Sequence, residues 1–584
     1  MKPPTTRSLS DHVDHSGHRL LEARNAGSTK VHQPESSGLD RWVFGVTAAL
    51  ALAFVAWGLI STENLGSVSA TAESWVIDKA GWLFVLSASF FVVFVLWIAA
   101  SKYGRIRLGA DDEVPEFRTV SWISMMFSAG MGIGLMFFGV AEPLSFFIDP
   151  PPGTTAAESE AAVRTALATS MFHWGLHPWA VYAVVGLAIG YGTFRRGRRQ
   201  LFSSVLWPVL GNKSEGKVGR IIDMLAIFAT LFGSAASLGI GATQIGAGIE
   251  FSGWADDLGT PLLIGIIAVL TVAFVASAVS GIARGIQWLS NTNMVLALVL
   301  AVFVFVVGPT LFILNLIPTT IGSYLGDMTD MASRTSATGG EEVSAWLSSW
   351  TIFYWAWWIS WTPFVGMFIA RISRGRTIRE FVTGVLLAPT LVALVWFSIL
   401  GGSAIRQQQT SGDMTIDGAV DSNSALFQLL SNFPLASIST VLVIALIAIF
   451  FVTGADSASI VMGTLSQRGA IEPRTRVVVV WGVLMGAVAA IMLAIGGGGA
   501  EALTGLQNLT VVASLPFVLV MLLITFALWK DLRTDPLIVR REVAIDMVRD
   551  AVVQGVEQHG DNFRLSVDHA PDKGNDTTEP DVDR

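Results

Sequence analysis

Residues 353–361 read Phe353-Tyr354-Trp355-Ala356-Trp357-Trp358-Ile359-Ser360-Trp361, and the run that holds them, 343–371, carries no charge before Arg371. About 20 mostly apolar residues suffice to span a bilayer as a helix. Tryptophan in membrane proteins usually gathers at the two interfaces, at the ends of a span. Here four tryptophans fall within seven residues, deep inside one run. Trp358 and Trp361 lie about one turn apart on a helix and share a face.

Working outward, twelve apolar runs predict twelve transmembrane helices, near 42–61, 81–100, 120–147, 164–194, 219–249, 260–282, 291–316, 343–371, 379–402, 434–466, 475–496 and 503–529. Composition agrees: of 584 residues, 52% are hydrophobic and 14% charged, against about 25% charged in a soluble domain. That is too little charge to cover a soluble surface, so the lipid bilayer is most of the solvent. The expected fold class is an all-α polytopic membrane protein. An outer-membrane barrel would show short alternating strands instead of long continuous runs.

Lys and Arg crowd cytoplasmic loops. Arg41 precedes the first run; Lys102, Arg105, Arg107 and Arg118 follow the second; Arg195, Arg196, Arg198, Arg199, Lys213, Lys217 and Arg220 follow the fourth. Arg284, then Arg371, Arg374, Arg376 and Arg379, then Arg468, Arg474 and Arg476, and finally Lys530, Arg533, Arg540 and Arg541 continue the alternation. The opposite loops hold Lys79, Arg164, Arg334 and Arg406. Both termini are expected in the cytoplasm, with the chain in a bacterial plasma (inner) membrane. Residues 1–40 read as a disordered cytoplasmic tail, 41–530 as the transmembrane domain and 531–584 as a cytoplasmic tail. A helix is expected there, from the apolar spacing after Pro536.

Absences narrow the function. Cysteine is lacking, so no disulfide, thiolate nucleophile or Cys-ligated metal is possible. No nucleophile–base pair or metal cluster stands out, so the chain is not expected to be an enzyme, and no cofactor or metal cluster is expected. No basic face dominates at a net charge of −8, so no nucleic acid is expected as partner. A channel would carry a repeated pore motif or a charge ring, and a receptor a soluble output domain.

Two further stretches carry chemistry. Gly130-Met131-Gly132-Ile133-Gly134 sits mid-run, where each glycine costs a helix about 1 kcal/mol relative to Ala. Either small residues let helices pack closely, or the helix breaks there beside a cavity, as in secondary transporters. His173-Trp174-Gly175-Leu176-His177-Pro178-Trp179-Ala180-Val181-Tyr182 is the second aromatic cluster. Any one of these rings alone reads as core or lipid packing. Two clusters on separate spans read as an aromatic cage for a quaternary ammonium group, which cannot donate hydrogen bonds.

Three stretches resemble the betaine/choline/carnitine transporter family: Gly130 through Pro143 (Gly-Met-Gly-Ile-Gly-Leu-Met-Phe-Phe-Gly-Val-Ala-Glu-Pro), Phe353 through Gly375, and Phe450 through Ser459. The pattern is closest to the glycine betaine symporters. The resemblance implies a LeuT-like fold of two inverted five-helix repeats, about 118–317 and 343–530, preceded by two extra helices. It implies secondary active uptake of a small quaternary-ammonium or related compatible solute, glycine betaine first, by sodium symport with alternating access. Proton-coupled or exchange transport of choline, carnitine or ectoine is the alternative.

Carried over position by position, the resemblance puts the family's aromatic box on Trp174, Trp179, Tyr182 and Trp358, with Trp361 as a further cation contact. Backbone near Met131 and Gly132 would approach the substrate, and Ser237 is a candidate polar contact. At position 134 choline-transporting relatives tend to have an acid; Gly134 here favours a zwitterion such as glycine betaine. One sodium position falls on Ser128, Met131, Phe450, Thr453 and Gly454, where Gly454 departs from the family's usual Ser. A second falls on Thr230, Ser234 and Phe364. Hydroxyl and carbonyl oxygens suit a hard cation, though each hydroxyl alone also reads as an ordinary intrahelical bond. No Lys or Arg lies between Arg220 and Arg284 to stand in for the ion. Asp456, an intramembrane carboxylate, carries a proton or makes a structural hydrogen bond. Glu142 reads as a structural helix-end residue. The segment Arg284 to Ser290 is where relatives trimerise, so a homotrimer is expected.

Overall fold

The structure, a computed structural model, describes residues 38–130, 132–255, 259–280, 283–497 and 502–565; side chains at 127–130, 280, 283–288, 290 and 502 are outside the description. The tail 1–37, Met131 and the side chain of Ser128 therefore lie outside the described residues. The described residues form helices and no named strand. The helices that matter here are α1 (Arg41–Ile60), α2 (Thr62–Ala100), α3 (Thr119–Gly130), α4 (Ile133–Ile148), α5 (Glu160–Trp174), α6 (Leu176–Gly190), α7 (Lys217–Phe251), α8 (Thr260–Ser280) and α9 (Ala283–Val307). They continue as α10 (Thr310–Gly326), α11 (Ser336–Leu347), α12 (Phe353–Ile372), α13 (Ile378–Ser411), α14 (Ala436–Ser466), α15 (Thr475–Ile495), α16 (Ala502–Arg533) and α17 (Pro536–His559).

Among the described residues, eight helices are long and apolar enough to cross a membrane, nine if one bent pair is counted as a span. The chain is an all-helical, polytopic membrane protein.

Four predicted runs differ in detail. The run 291–316 is not one straight helix: between Val307 and Thr310 the axis turns by 111°, at Gly308 and Pro309. A proline has no N–H to continue the ladder and clashes with the preceding turn. The second run starts far earlier than 81; α2 is helical from Thr62, so Lys79 sits on a helix and not in a loop. The run 164–194 breaks at Gly175, whose φ and ψ are −94° and −124°. The run 120–147 breaks at Gly132 (φ −135°, ψ −148°). This last finding decides between the two readings of the glycine motif: the helix is interrupted there.

Gly175 has a steric reason. A Cβ there would lie 2.6 Å from the Met171 carbonyl and 2.8 Å from Tyr324 Oη. The N–H of Leu176, orphaned by the break, donates to that same Tyr324 hydroxyl at 3.0 Å, which satisfies one of the free donors at a helix start. Upstream of α12, residues Ser348–Ile352 form a π-helical turn, the kind of local irregularity often found at functional sites.

At the end of α12 the chain makes a hydrogen-bonded turn against 106–108. Leu108 donates to the Arg376 carbonyl, Gly375 to the Leu108 carbonyl and Ile378 to the Ile106 carbonyl, each at 2.8 Å. Thr377 and Glu380 then form a capping box that starts α13, satisfying two helix-start donors reciprocally. The segment Arg284 to Ser290 runs within α9, and most of its side chains lie outside the described residues. α17 belongs to a separate compact unit; its start is capped by the Asp535 carboxylate, which accepts from Leu537 N.

Candidate functional site: a buried aromatic box

The break at Gly175 leaves Trp174 as the last residue of α5, with Trp179 and Tyr182 one and two turns into α6. Both segments face α12. Trp174 meets Trp358 edge to face, centroids 4.8 Å apart at 80°. Tyr182 meets the same Trp358 at 6.1 Å and 83°, and Trp179 meets Tyr182 at 5.5 Å and 81°. Trp361 meets Trp357 at 6.2 Å and 72°. The five expected aromatic residues are thus brought together, all buried, with Trp361 the most open at 9%. Edge-to-face pairs exploit the rings' quadrupoles and contribute about 0.5–1.5 kcal/mol each beyond burial.

Trp357 was not among the expected residues. It stacks on Trp358 at 5.0 Å and 16° and so forms part of the same wall. A Cβ at Gly134 would collide with Trp357 Cη2 and lie 3.0 Å from Trp174 Cη2. Gly134 therefore has a steric task as well as the charge reading of the sequence: it lets α4 press against the box. Gly132 is less constrained, its would-be Cβ lying 3.5 Å from Trp361 Cη2.

Four indole N–H groups of the wall are bound within the protein, whereas Tyr182 Oη is buried with no hydrogen-bond partner among the described residues. Trp358 Nε1 donates to the His173 carbonyl at 2.9 Å, Trp361 Nε1 to the Gly233 carbonyl at 2.9 Å, and Trp357 Nε1 to Ser237 Oγ at 3.0 Å. Ser237 itself donates to the Gly233 carbonyl at 3.2 Å. Its hydroxyl is thereby used to hold Trp357. The fourth indole, Trp174, donates to Glu142 Oε2 at 2.7 Å.

Glu142 corrects a sequence expectation. It lies within α4 and not at its end, and it is fully buried. Besides Trp174 it accepts from Tyr354 Oη at 2.5 Å, and its Oε1 is 2.7 Å from His173 Nδ1. His173 Nε2 in turn is 3.0 Å from Thr351 Oγ1. The rarity of a carboxylate inside an apolar span was the signal available in the sequence. His177 stacks on Trp355 at 5.3 Å and 22°, a packing role. Asp456 is buried within α14.

The expected ion positions among the described residues lie on four helices, Ser128 being on α3. Thr230 and Ser234 are on α7 and Phe364 on α12. These helices touch closely: a Cβ at Gly233 would collide with Ser360 Oγ. Thr230 donates to the Ala226 carbonyl at 2.8 Å, whereas Ser234 Oγ is buried and has no hydrogen-bond partner among the described residues. Phe450, Thr453 and Gly454 are on α14, where Thr453 donates to the Ile449 carbonyl at 2.9 Å. α14 and α4 both reach α7 at Gly241, whose would-be Cβ lies 2.9 Å from Ile133 Cδ1 and 3.4 Å from Ile447 Cγ2.

Long apolar helices around a buried, irregular-backbone site lined with ring faces define a solute transporter of the membrane. The model of the betaine/carnitine/choline family transporters matches residues 42–537. Relatives include the betaine/ectoine transporter LcoP of Corynebacterium glutamicum, 48% identical over 92% of this chain and 85% of its own. The glycine betaine transporter OpuD of Bacillus subtilis is 44% identical over 88% of this chain and 98% of its own. Glycine betaine transporter 1 of Vibrio parahaemolyticus is 40% identical over 86% and 94%. The chain belongs to the betaine/carnitine/choline transporter family. It is a transporter and not an enzyme.

Proposed function

We propose that this protein takes up a quaternary-ammonium compatible solute, glycine betaine first, by sodium symport with alternating access. One observation carries the reading. The box offers its guest ring faces while the indole donors of Trp174, Trp357, Trp358 and Trp361 are engaged within the protein. A trimethylammonium group needs no hydrogen-bond acceptor, and a desolvated cation on such faces gains about 2 kcal/mol or more. The names of the relatives, which include glycine betaine, agree with this.

Twelve spans arranged as two inverted LeuT-like repeats after two extra helices remain our reading of the architecture. The break at Gly132, near the start of the first repeat, and the π-helical turn upstream of α12, near the start of the second, support it. The charge alternation supports cytoplasmic termini in a bacterial inner membrane, and the family resemblance supports a homotrimer. Sodium coupling is supported by the hydroxyls of Thr230 and Ser234 on α7 and of Thr453 on α14, which packs against α7. Ectoine is a second candidate substrate, favoured by the 48% identity to a betaine/ectoine transporter.

The test is uptake of labelled glycine betaine and ectoine into proteoliposomes, with and without an inward sodium gradient. Sodium-driven betaine accumulation is expected. Betaine uptake indifferent to sodium would move the coupling to protons or exchange. Uptake of neither solute would overturn the reading and point to choline or carnitine.

A further inference from the structure

We infer that Glu142 is the counter-charge of the aromatic box: as a carboxylate it fixes the Trp174 ring and biases the site toward a cation over an uncharged guest of the same shape. The inference rests on the reading of the box as a cation site and names the residue that sets its charge preference. No residue of the box itself carries a negative charge, so the rings alone would have to supply the attraction.

The geometry admits the ionised form. An indole N–H can only donate, so Glu142 Oε2 must accept from Trp174. The Tyr354 hydroxyl converges on the same oxygen. A carboxylate, acceptor-only with about four lone-pair sites, accommodates both donors on that oxygen and a third on the other. With Nδ1 of His173 donating to Oε1, its Nε2 accepts from Thr351 Oγ1. The imidazole is then neutral and satisfied on both sides. The cluster keeps one net negative charge, and among the described residues no Lys or Arg pairs with Glu142.

A buried charge held only by neutral donors is costly unless a counter-charge is near. The cation in the adjacent box is that counter-charge. Trp174 stands between them: its N–H is bound to the carboxylate and its ring is a box wall against Trp358. A hydrogen bond to an anion polarises the donor ring, which strengthens its attraction for a cation. His173 ties the cluster to the opposite wall, because its backbone carbonyl holds Trp358 Nε1.

The experiment is competition against labelled glycine betaine uptake by choline and by 3,3-dimethylbutan-1-ol, its uncharged carbon isostere, in proteoliposomes of the full chain. Wild type should prefer the cation. In Glu142→Gln the cation's advantage should fall about tenfold, with potency of the neutral isostere unchanged and the loss appearing in KM more than in maximal rate. Glu142→Asp, which keeps the charge, should keep the preference. Equal weakening of both competitors would reduce Glu142 to a structural support and overturn the inference. No change in either would mean that the group carries no charge, and would overturn it too. Should Glu142→Gln not fold, Tyr354→Phe, which removes a donor and keeps the charge, must retain the cation preference; its loss there would count against us. A wild type that fails to prefer the cation would defeat the box reading itself, a result visible before any variant is made.

Discussion

The indole rings of Trp174 and Trp358 meet edge to face at 4.8 Å, although one ends α5 and the other lies within α12. The contact is held from both sides. Trp358 Nε1 is bound to the carbonyl of His173, the residue before Trp174, and Trp174 Nε1 to Glu142. The two rings therefore keep a fixed mutual angle.

Removing either ring should weaken binding without abolishing folding at the detergent-solubilised level. Trp358→Leu forfeits one cation–π face and leaves the His173 carbonyl unpaired, together about 2–3 kcal/mol. The KM for betaine uptake should rise at least about tenfold. Trp358→Phe should lose less, because a ring face remains. Uptake kinetics at matched protein levels check both, and an unchanged KM in Trp358→Leu would remove this ring from the site.

Gly134 should tolerate no side chain. Gly134→Ala would drive a methyl group into Trp357, so betaine uptake should fall about tenfold or more, in keeping with overpacking costs of about 1–3 kcal/mol. Gly134→Ala combined with Trp357→Phe should recover part of the activity, because the clashing ring atoms are gone. If the alanine variant transports normally, the charge reading of this position stands alone and the steric one fails.

The sodium positions separate by response. A Cβ at Gly454 meets no atom within 4 Å, so Gly454→Ser should fold normally and, by adding a hydroxyl ligand, lower the sodium concentration for half-maximal uptake. Ser234→Ala should raise it. Uptake measured against sodium concentration decides, and a flat response in both variants would argue against sodium at these places.

Gly375 is a stability prediction remote from the site. Its φ is +81°, and a Cβ there would collide with the Val114 carbonyl oxygen and lie 2.6 Å from its carbon. Gly375→Ala should destabilise the turn before α13 by more than about 1 kcal/mol, lowering the thermal midpoint of the purified protein while leaving the substrate KM of the surviving fraction unchanged. An unaltered midpoint would mean that the 106–108 contact yields easily.

The sequence by itself determined that this chain is a polytopic membrane protein and which tryptophans are candidates for a box. These follow from local composition, because partition of a segment into lipid depends on its own side chains. The glycines of 130–134 also announced a weak point in one helix, since a missing side chain is a local fact, whereas the break at Gly175 came from the structure. Only the tertiary structure decided that Trp174 and Trp358 touch, that Trp357 completes the wall, that Glu142 underlies Trp174, and that the chain turns by 111° after Val307. Those contacts join residues far apart in the chain, 185 positions in the case of His173 and Trp358. They arise from how the broken helices pack against one another, which no local pattern encodes.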